Sequence, residues 1–216
     1  MTERFLRNEM MLGPAAVERL AACRVCVVGL GGVGSGAVEV LARAGVGELT
    51  LIDQDVYGES NVNRQLGALT STLGQPKAEV LARRVLEINP DCTVRPIVGK
   101  YTKEDRERFF GPYDCIVDAI DLVACKVDLI CQAMERGIPI LSALGTGSKL
   151  DPSRLEVTDL SKTCGCPQWQ VWCEVAATGC HTRRESQRRR HRTERTNCRC
   201  PRSHEDGEQH QCRQGR

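Results

Sequence analysis

The chain has 216 residues, of which 41% are hydrophobic, and its formal net charge at pH 7 is only +2. That size and composition suit one ordinary domain with a well-formed core. Thirteen cysteines would be typical of a small secreted disulfide scaffold, but no stretch has the pattern of a signal peptide or a membrane span. We therefore expect a cytoplasmic protein without membrane contact. The thiols expected to be buried in apolar patterns are Cys23, Cys26, Cys92, Cys115, Cys125 and Cys131.

Charge and residue types divide the chain into two parts. Residues 1–163 carry 19 basic and 22 acidic groups, whereas residues 164–216 carry 11 basic and 6 acidic groups. The second part contains seven cysteines and all four histidines, but no Leu, Ile, Met, Phe, Tyr or Lys, so it cannot build a core. We therefore predict a folded domain over residues 1–167 and a disordered, arginine- and cysteine-rich tail over residues 168–216.

Short apolar runs alternate with helical patterns along the first part. The predicted helices cover about 14–20, 35–43, 76–88, 103–110 and 122–136. The predicted strands cover 24–28, 48–53, 93–98, 114–119 and 138–141, and the alternating segment 154–160 could add an edge strand. Short strands separated by helices indicate an α/β fold, a Rossmann-like and mostly parallel sheet with helices on both faces.

A glycine-rich turn follows the first strand and is expected to bind phosphate. Its glycines are Gly29, Gly31, Gly32 and Gly34, and a helix follows them directly. Glycines let the backbone approach an anion, and the helix directs free N–H groups at it. Asp53 ends the next strand about 20 residues later, where nucleotide folds place a carboxylate for ribose. A nucleotide is therefore expected, with NAD and ATP both open; the alternative is a tight turn without a ligand.

Four further motifs carry a resemblance to a known family. The segments 61–66, 118–121, 150–154 and 159–163 read NVNRQL, DAID, LDPSR and DLSKT. The segments 60–65 and 118–121, together with 53–55 (DQD) and 74–77 (GQPK), resemble the ubiquitin-activating superfamily, and the resemblance covers residues 4 to about 167. Within that superfamily, the four motifs above look most like the tRNA threonylcarbamoyladenosine dehydratases. The resemblance implies ATP and Mg²⁺ as cofactors and tRNA as substrate. In that family ATP adenylates the threonyl carboxylate of the modified adenosine, AMP leaves, and a ring closes with loss of water.

The resemblance also implies site residues, and their chemistry suits adenylation. Cations must converge where a carboxylate meets the α-phosphate, and Arg64 and Lys77 are the candidates. Asp121, at the end of the fourth strand, is the candidate Mg²⁺ ligand. By resemblance, Asp53 holds the ribose and Asn61 helps to place the phosphates. The other nucleotide-site candidates are Asp55, Asn63, Gln65 and Asp118. Each could singly be a surface charge, a cap or a turn residue.

The N-terminal segment and the tail add three hypotheses. Residues 4–7 match the family's N-terminal element, so Arg7 is a candidate for an arginine finger that reaches a partner subunit in a homodimer; the alternative is a solvated arginine on a frayed terminus. Past Thr163 the family's pattern is lost, and we hypothesise a reading-frame shift near Pro167. The tail's alternatives are an RNA-binding arm or a metal site that includes Cys164, Cys166, Cys198 and Cys200.

Three other functions stay open at this point. In that family, the segment that follows the position of Thr163 carries much of the tRNA-facing surface, and its pattern is lost here. The truncated chain could therefore be inactive, or it could be a non-catalytic ATP-binding dimer partner. The chain could instead activate the C-terminal glycine of a ubiquitin-like sulfur carrier, although such enzymes usually carry paired Cys-x-x-Cys motifs. A sulfur-transfer partner protein is a further expectation. An NAD-dependent enzyme would leave Arg64, Lys77 and Asp121 without a role.

Overall fold

The computed structural model describes residues 3–145, 150, 151, 153 and 155–160, all of which belong to one compact unit. The predicted tail, the frame-shift hypothesis at Pro167 and the tail's RNA- and metal-binding alternatives lie outside the described residues. Strands within these residues are β1 (Arg24–Val28), β2 (Glu48–Asp53), β3 (Thr93–Val98), β4 (Cys115–Asp118) and β5 (Ile140–Ser142). The α-helices are α1 (Leu6–Leu12), α2 (Pro14–Ala22), α3 (Gly32–Ala44), α4 (Lys77–Ile88) and α5 (Val123–Glu135).

The five strands form one parallel sheet in the order β3-β2-β1-β4-β5. Because β1 lies at the centre, the chain moves outward on one side through β2 and β3 and on the other through β4 and β5. Residues at the ends of three strands are therefore in register, with Val28 beside both Ile52 and Asp118. The carboxyl end of β1 is the point where strand order reverses, which is where open α/β sheets bind ligands.

Alternate residues of β1 belong to two separate cores. Val25 and Val27 pack in the cluster that includes residues of α3 and α4, whereas Cys26 and Val28 pack in the cluster that includes residues of α5. Both faces of the sheet are thus covered, which explains the continuous apolar sequence of this strand. The predicted Rossmann-like α/β fold is confirmed.

Three local predictions differ from the structure. The helix expected over 103–110 is a short 3₁₀ turn, Arg106–Phe109, because charged residues fill the segment and Phe109 is its one buried residue. The described residues 155–160 form no strand, and Leu155 and Val157 are exposed, so the alternating pattern gains no burial there. The N-terminal segment forms the helix α1, which was not predicted from the sequence. Its Met10 and Met11 are exposed, and it lacks the capping signals that would have indicated a helix.

The thiols follow the expectation only in part. Cys26 and Cys92 are buried, whereas the other four cysteines in the described residues are half-buried. Burial raises the pKa of the Cys26 thiol to about 12 and that of Cys92 to about 11, so both are protonated and unreactive at neutral pH. None of the helices in the described residues combines the length and apolar character that a bilayer crossing needs.

Candidate nucleotide site

The turns that follow β1 and β4 touch one another, and only glycine fits at their contact. Gly29 has a φ of +86°, and a Cβ there would lie 2.6 Å from the carbonyl oxygen of Ala119. A Cβ on Gly34 would lie 1.8 Å from the carbonyl oxygen of Gly29. Glycines at these two positions therefore draw the start of α3 tightly onto the end of β1. The N–H groups of the first turn of α3 open at the sheet's carboxyl edge, as a phosphate site requires.

Asp53 ties the glycine turn to the end of β2. One carboxylate oxygen accepts the amide of Leu30 at 2.7 Å, and the other accepts the amide of Asp55 at 2.7 Å. The side chain is half-buried. The spacing of Asp53 from the glycines predicts this carboxylate near them for its role toward ribose, and the structure brings the two together.

The polar stretch after β2 folds back over the glycine turn. A Cβ on Gly32 would lie 3.4 Å from the carbonyl oxygen of Arg64, and a Cβ on Gly31 would lie 3.8 Å from the Gln65 amide nitrogen. The Oδ1 of Asn61 accepts the amide of Gly58 at 3.0 Å, and its carbonyl oxygen accepts the amides of Arg64 and Gln65 at 3.1 and 3.0 Å. Asn61 thus shapes the turn that sets Arg64 and Gln65 against the glycines.

Arg64 and Gln65 present different groups at this place. The Arg64 guanidinium is exposed and donates to the carbonyl of Ser60 at 2.8 Å and to Oδ1 of Asn63 at 2.9 Å. Gln65 is only 7% exposed, and its Oε1 has no hydrogen-bond partner among the described residues. A buried acceptor without a partner is costly, and a nucleotide carries hydroxyl and amino donors that could supply one. The glycine cradle consists of Gly29 to Gly34 and the facing carbonyl of Ala119. Both this cradle and the Gln65 acceptor fit ATP.

Lys77 is the first residue of α4 and is 5% exposed. Its Nζ lies 3.1 Å from Oδ2 of Asp55, whose side chain is 56% exposed. Val56 and Pro76 form an isolated antiparallel bridge that closes the polar stretch just before this helix. The ammonium group is therefore held beneath the surface, with its counter-ion on the solvent side.

Asp118 lies at the end of β4, but its side chain is turned inward and is 0% exposed. Its Oδ2 lies 2.7 Å from Nζ of Lys126, which is itself 2% exposed. Lys126 was not predicted as a site residue from the sequence. The signal was present, since a lysine at position 126 falls on the stripe of α5 that also carries the buried Val127 and Ile130.

Asp121 is an exposed residue in the turn between β4 and α5, at the carboxyl edge of the sheet. Within the described ranges, no group of three or more His, Cys, Asp or Glu side chains is arranged to hold a metal ion. One carboxylate is nonetheless compatible with Mg²⁺, which is commonly held by one or two carboxylates together with substrate phosphates and water.

Arg7 is exposed in α1, at the opposite edge of the sheet. Its neighbour Asn8 donates to the carbonyl of Arg43 at 2.9 Å, and Arg4 donates to the carbonyl of Ile88 at 2.5 Å. These carbonyls belong to the carboxyl ends of α3 and α4, whereas the glycine turn and Lys77 are at the other ends of the same helices. A 13-residue helix is about 20 Å long, so Arg7 is not brought to the site of its own chain.

Comparison with known proteins gives this arrangement its family. Residues 5–208 match the ThiF family. The chain is a member of the ThiF family. It is 44% identical over 164 residues to the tRNA threonylcarbamoyladenosine dehydratase of Bacillus subtilis, covering 76% of this chain and 65% of that protein. It is 35% identical over 125 residues to the molybdopterin-synthase adenylyltransferase of Escherichia coli, covering 58% of this chain and 50% of that protein. The resemblance seen in the sequence is confirmed.

Solved structures of ThiF-like enzymes match the fold as well. The crystal structure of the E. coli tRNA N6-threonylcarbamoyladenosine dehydratase in complex with ATP superposes with a TM-score of 0.78 at 38% identity, covering 82% of this chain and 73% of that chain. The same enzyme in complex with AMP gives a TM-score of 0.79. The chain spans 65% of the length of the B. subtilis relative and 62% of that of the E. coli relative.

Proposed function

We propose that this ThiF-family chain uses ATP to adenylate the threonyl carboxylate of threonylcarbamoyladenosine in tRNA, after which the ring closes with loss of water. The observation that carries the proposal is the glycine cradle between β1 and β4, with Lys77 and Arg64 facing the same sheet edge. The relatives strengthen it, because the B. subtilis and E. coli proteins carry this activity in their names.

Adenylation brings two anions together, so the barrier is largely electrostatic. The carboxylate oxygen bonds to the α-phosphorus while the bond to pyrophosphate breaks, and negative charge grows on the leaving group. The buried ammonium of Lys77 and the guanidinium of Arg64 are the cations of this chain that would stabilise that charge. The N–H groups at the start of α3 would hold phosphate oxygens, and Asp53 would hold the ribose.

Mg²⁺ would neutralise the phosphate oxygens and would be held by Asp121, whose exposed carboxylate suits an ion that keeps several water ligands. Asp55, Asn61, Asn63 and Gln65 would shape the nucleotide's surroundings, because each takes part in the hydrogen bonds that fold the polar stretch. For Asp118 we propose an indirect role, because its side chain is buried and paired.

We also propose that the working unit is a homodimer, since Arg7 can act only on the site of a second copy. tRNA as the substrate and the free thiols of Cys23, Cys26 and Cys92 favour the cytoplasm, a reducing compartment. The sulfur-transfer partner expected from the resemblance stays a prediction.

The test is pyrophosphate release from ATP and Mg²⁺ by the full chain, with tRNA that does or does not bear threonylcarbamoyladenosine. We expect release that needs the modified tRNA, falls by about 10²- to 10³-fold in Lys77→Ala and persists in Lys100→Ala, a matched change at an exposed lysine after β3. Release that needs a ubiquitin-like carrier instead of tRNA would favour the sulfur-carrier alternative. ATP binding without release would indicate a non-catalytic partner, and thermal stabilisation by NAD but not ATP would contradict the proposal.

A further inference from the structure

Lys126 is the most deeply buried lysine of the described residues, and its ammonium group is fully engaged. Its Nζ donates to Oδ2 of Asp118 at 2.7 Å, to the carbonyl of Ala143 at 3.0 Å and to Oγ of Ser142 at 3.2 Å. An ammonium group has three protons to donate, so each has an acceptor. The side chains of Lys126 and Asp118 are 2% and 0% exposed.

Asp118 connects Lys126 to the 119–121 turn at the carboxyl edge of the sheet. Its Oδ1 accepts the amide of Ile120 at 3.0 Å, and its Oδ2 also accepts the hydroxyl of Ser142 at 2.6 Å. The backbone carbonyl of Asp118 accepts the amide of Ala143 at 2.8 Å. The carboxylate therefore ties the end of β4 to the residue immediately before Asp121 and to the end of β5.

The same turn forms one wall of the glycine cradle. Ala119 supplies the carbonyl oxygen that comes within 2.6 Å of a Cβ position at Gly29. A shift of the segment 119–121 would therefore disturb both Asp121 and the close approach that the cradle depends on. The buried pair lies behind this segment and faces no solvent.

Stability alone is a poor reason for the pair. Removing two charges from water is expensive, and replacing a buried ion pair by apolar residues of similar volume is often neutral or stabilising. Two methionine- or leucine-sized side chains would fill this space without that cost. Apolar side chains could not, however, form the hydrogen bonds to the Ile120 amide and the Ala143 carbonyl. These hydrogen bonds fix the 119–121 turn.

We propose that Lys126 is a positioning residue, which acts through Asp118 to hold the 119–121 turn and thereby sets Asp121 at the nucleotide site. The proposal rests on the function proposed above. Lys126 touches no reacting atom; it determines where the candidate metal ligand stands when ATP binds.

Two variants separate positioning from stability. Lys126→Met leaves a buried carboxylate without its partner, so it should both loosen the turn and lower the melting temperature. The double variant Asp118→Leu/Lys126→Met removes both charges and should regain most of the melting temperature, but not the anchoring of the turn. The control is Arg106→Met, which breaks an ion pair of 3.1 Å between Arg106 and Asp128. Asp128 lies on α5, as Lys126 does, but this ion pair does not contact the 119–121 turn.

The first readout is hydrogen exchange in the segment 119–122, measured on the full chain below the melting temperature of every variant. We expect faster exchange there in the Lys126→Met and double variants, and unchanged exchange in Arg106→Met. The second readout is pyrophosphate release, in which the double variant should lose about 100-fold in kcat while its KM for ATP stays within about threefold. Arg106→Met should keep the parent's kcat.

The outcomes are distinct. A double variant that exchanges like the parent in 119–122, or that keeps the parent's kcat, overturns the positioning role. If the parent itself releases no pyrophosphate, the proposed function fails, and the second readout becomes ATP binding by calorimetry with and without Mg²⁺. The double variant should then lose the gain in ATP affinity that Mg²⁺ gives the parent; a retained gain, or a parent without one, overturns the positioning role.

Discussion

Lys77 and Asp55 are joined twice, once through the backbone and once through their charges. The Lys77 amide donates to the Asp55 carbonyl at 3.0 Å, and the two side chains form an ion pair of 3.1 Å. The Lys77 side chain is 7% exposed, whereas that of Asp55 is 56% exposed. Asp55 therefore fixes where α4 begins and where the ammonium points, so the lysine is placed before any phosphate arrives.

Asp55→Asn should lower the rate of pyrophosphate release about tenfold, because the ammonium loses the charge that orients it. Lys77→Ala should lower the rate by about 10²- to 10³-fold. The double variant should be no slower than Lys77→Ala alone, since Asp55 is argued to act only through the lysine. Steady-state kinetics of the three variants test this. Additive losses in the double variant would show that Asp55 has a role of its own.

Gly34→Ala should destabilise the fold severely. The new Cβ would lie 1.8 Å from the carbonyl oxygen of Gly29, which is backbone and cannot rotate away. We expect a loss of about 3 kcal/mol or more in the free energy of unfolding, measured by urea denaturation, together with loss of ATP binding. Expression of a stable, ATP-binding Gly34→Ala protein would contradict the close packing of the cradle.

The matched control for this change is Gly36→Ala, two residues further along α3. A Cβ at Gly36 meets nothing within 4 Å, and alanine is the better helix former. We therefore expect Gly36→Ala to raise the free energy of unfolding by about 0.5–1 kcal/mol. Opposite signs for the two glycines of one helix would separate steric conflict from helix propensity.

Glu39 on α3 should make stability depend on acid pH. Its carboxylate accepts a hydrogen bond from the guanidinium of Arg84 at 2.6 Å and another from that of Arg43 at 2.8 Å. The hydrogen bond with Arg84, followed by that with Arg43, holds the pKa of Glu39 below its ordinary value. A lowered folded-state pKa stabilises the fold above the unfolded pKa of about 4.3, and this contribution is lost as the pH falls through the folded pKa.

Glu39→Gln should therefore cost about 1 kcal/mol at pH 7, and the difference from the parent should shrink as the pH falls below about 4.3. Urea unfolding at pH 7, 5 and 3.5 measures it, with Glu18→Gln on the exposed face of α2 as the control. A difference that stays constant down to the lowest pH would mean that the loss comes from packing rather than from charge.

The sheet and its glycine turn were predictable because local and global signals agree there. The strands are short apolar runs, and Gly29 through Gly34 follow β1, where the strand order of the sheet reverses. The turn Arg106–Phe109 was not predictable as 3₁₀, because a charged segment with apolar residues at one end fits a helix equally well. The segment 155–160 alternates but buries little, and alternation alone does not pair a strand.

Side-chain direction was the larger gap. Asp118 and Asp121 look equivalent in the sequence, yet one is 0% exposed and the other lies at the surface. The difference comes from Lys126, whose partner lies eight residues away on another element. Sequence spacing predicts which edge of the sheet a carboxylate occupies; whether it faces a ligand or a buried lysine depends on packing between α5 and the strands.

Arg7 should act on the site of a second copy. The contacts of Asn8 and Arg4 hold α1 against the carboxyl ends of α3 and α4, a helix length away from the glycine cradle. Arg7→Ala should therefore lower pyrophosphate release as an arginine finger in trans would, by about 10³-fold or more, with no change in the melting temperature, because its side chain is exposed. Kinetics and thermal unfolding of the single variant measure both effects.

Mixing experiments then decide in which copy the arginine works. Arg7→Ala and Lys77→Ala chains should each be nearly inactive, but a mixed dimer contains one site with an intact Lys77 and an intact Arg7 from the other copy. Random exchange of equal amounts should therefore restore about a quarter of the parent's activity, since half of the dimers are mixed and each has one working site. Arg19→Ala, an exposed change on α2, should leave activity unchanged in every mixture. If exchanged mixtures stay inactive while ATP binding is intact, Arg7 does not work across subunits. In that case the site with an intact Lys77 in a mixed dimer gains nothing from the intact Arg7 of the other copy.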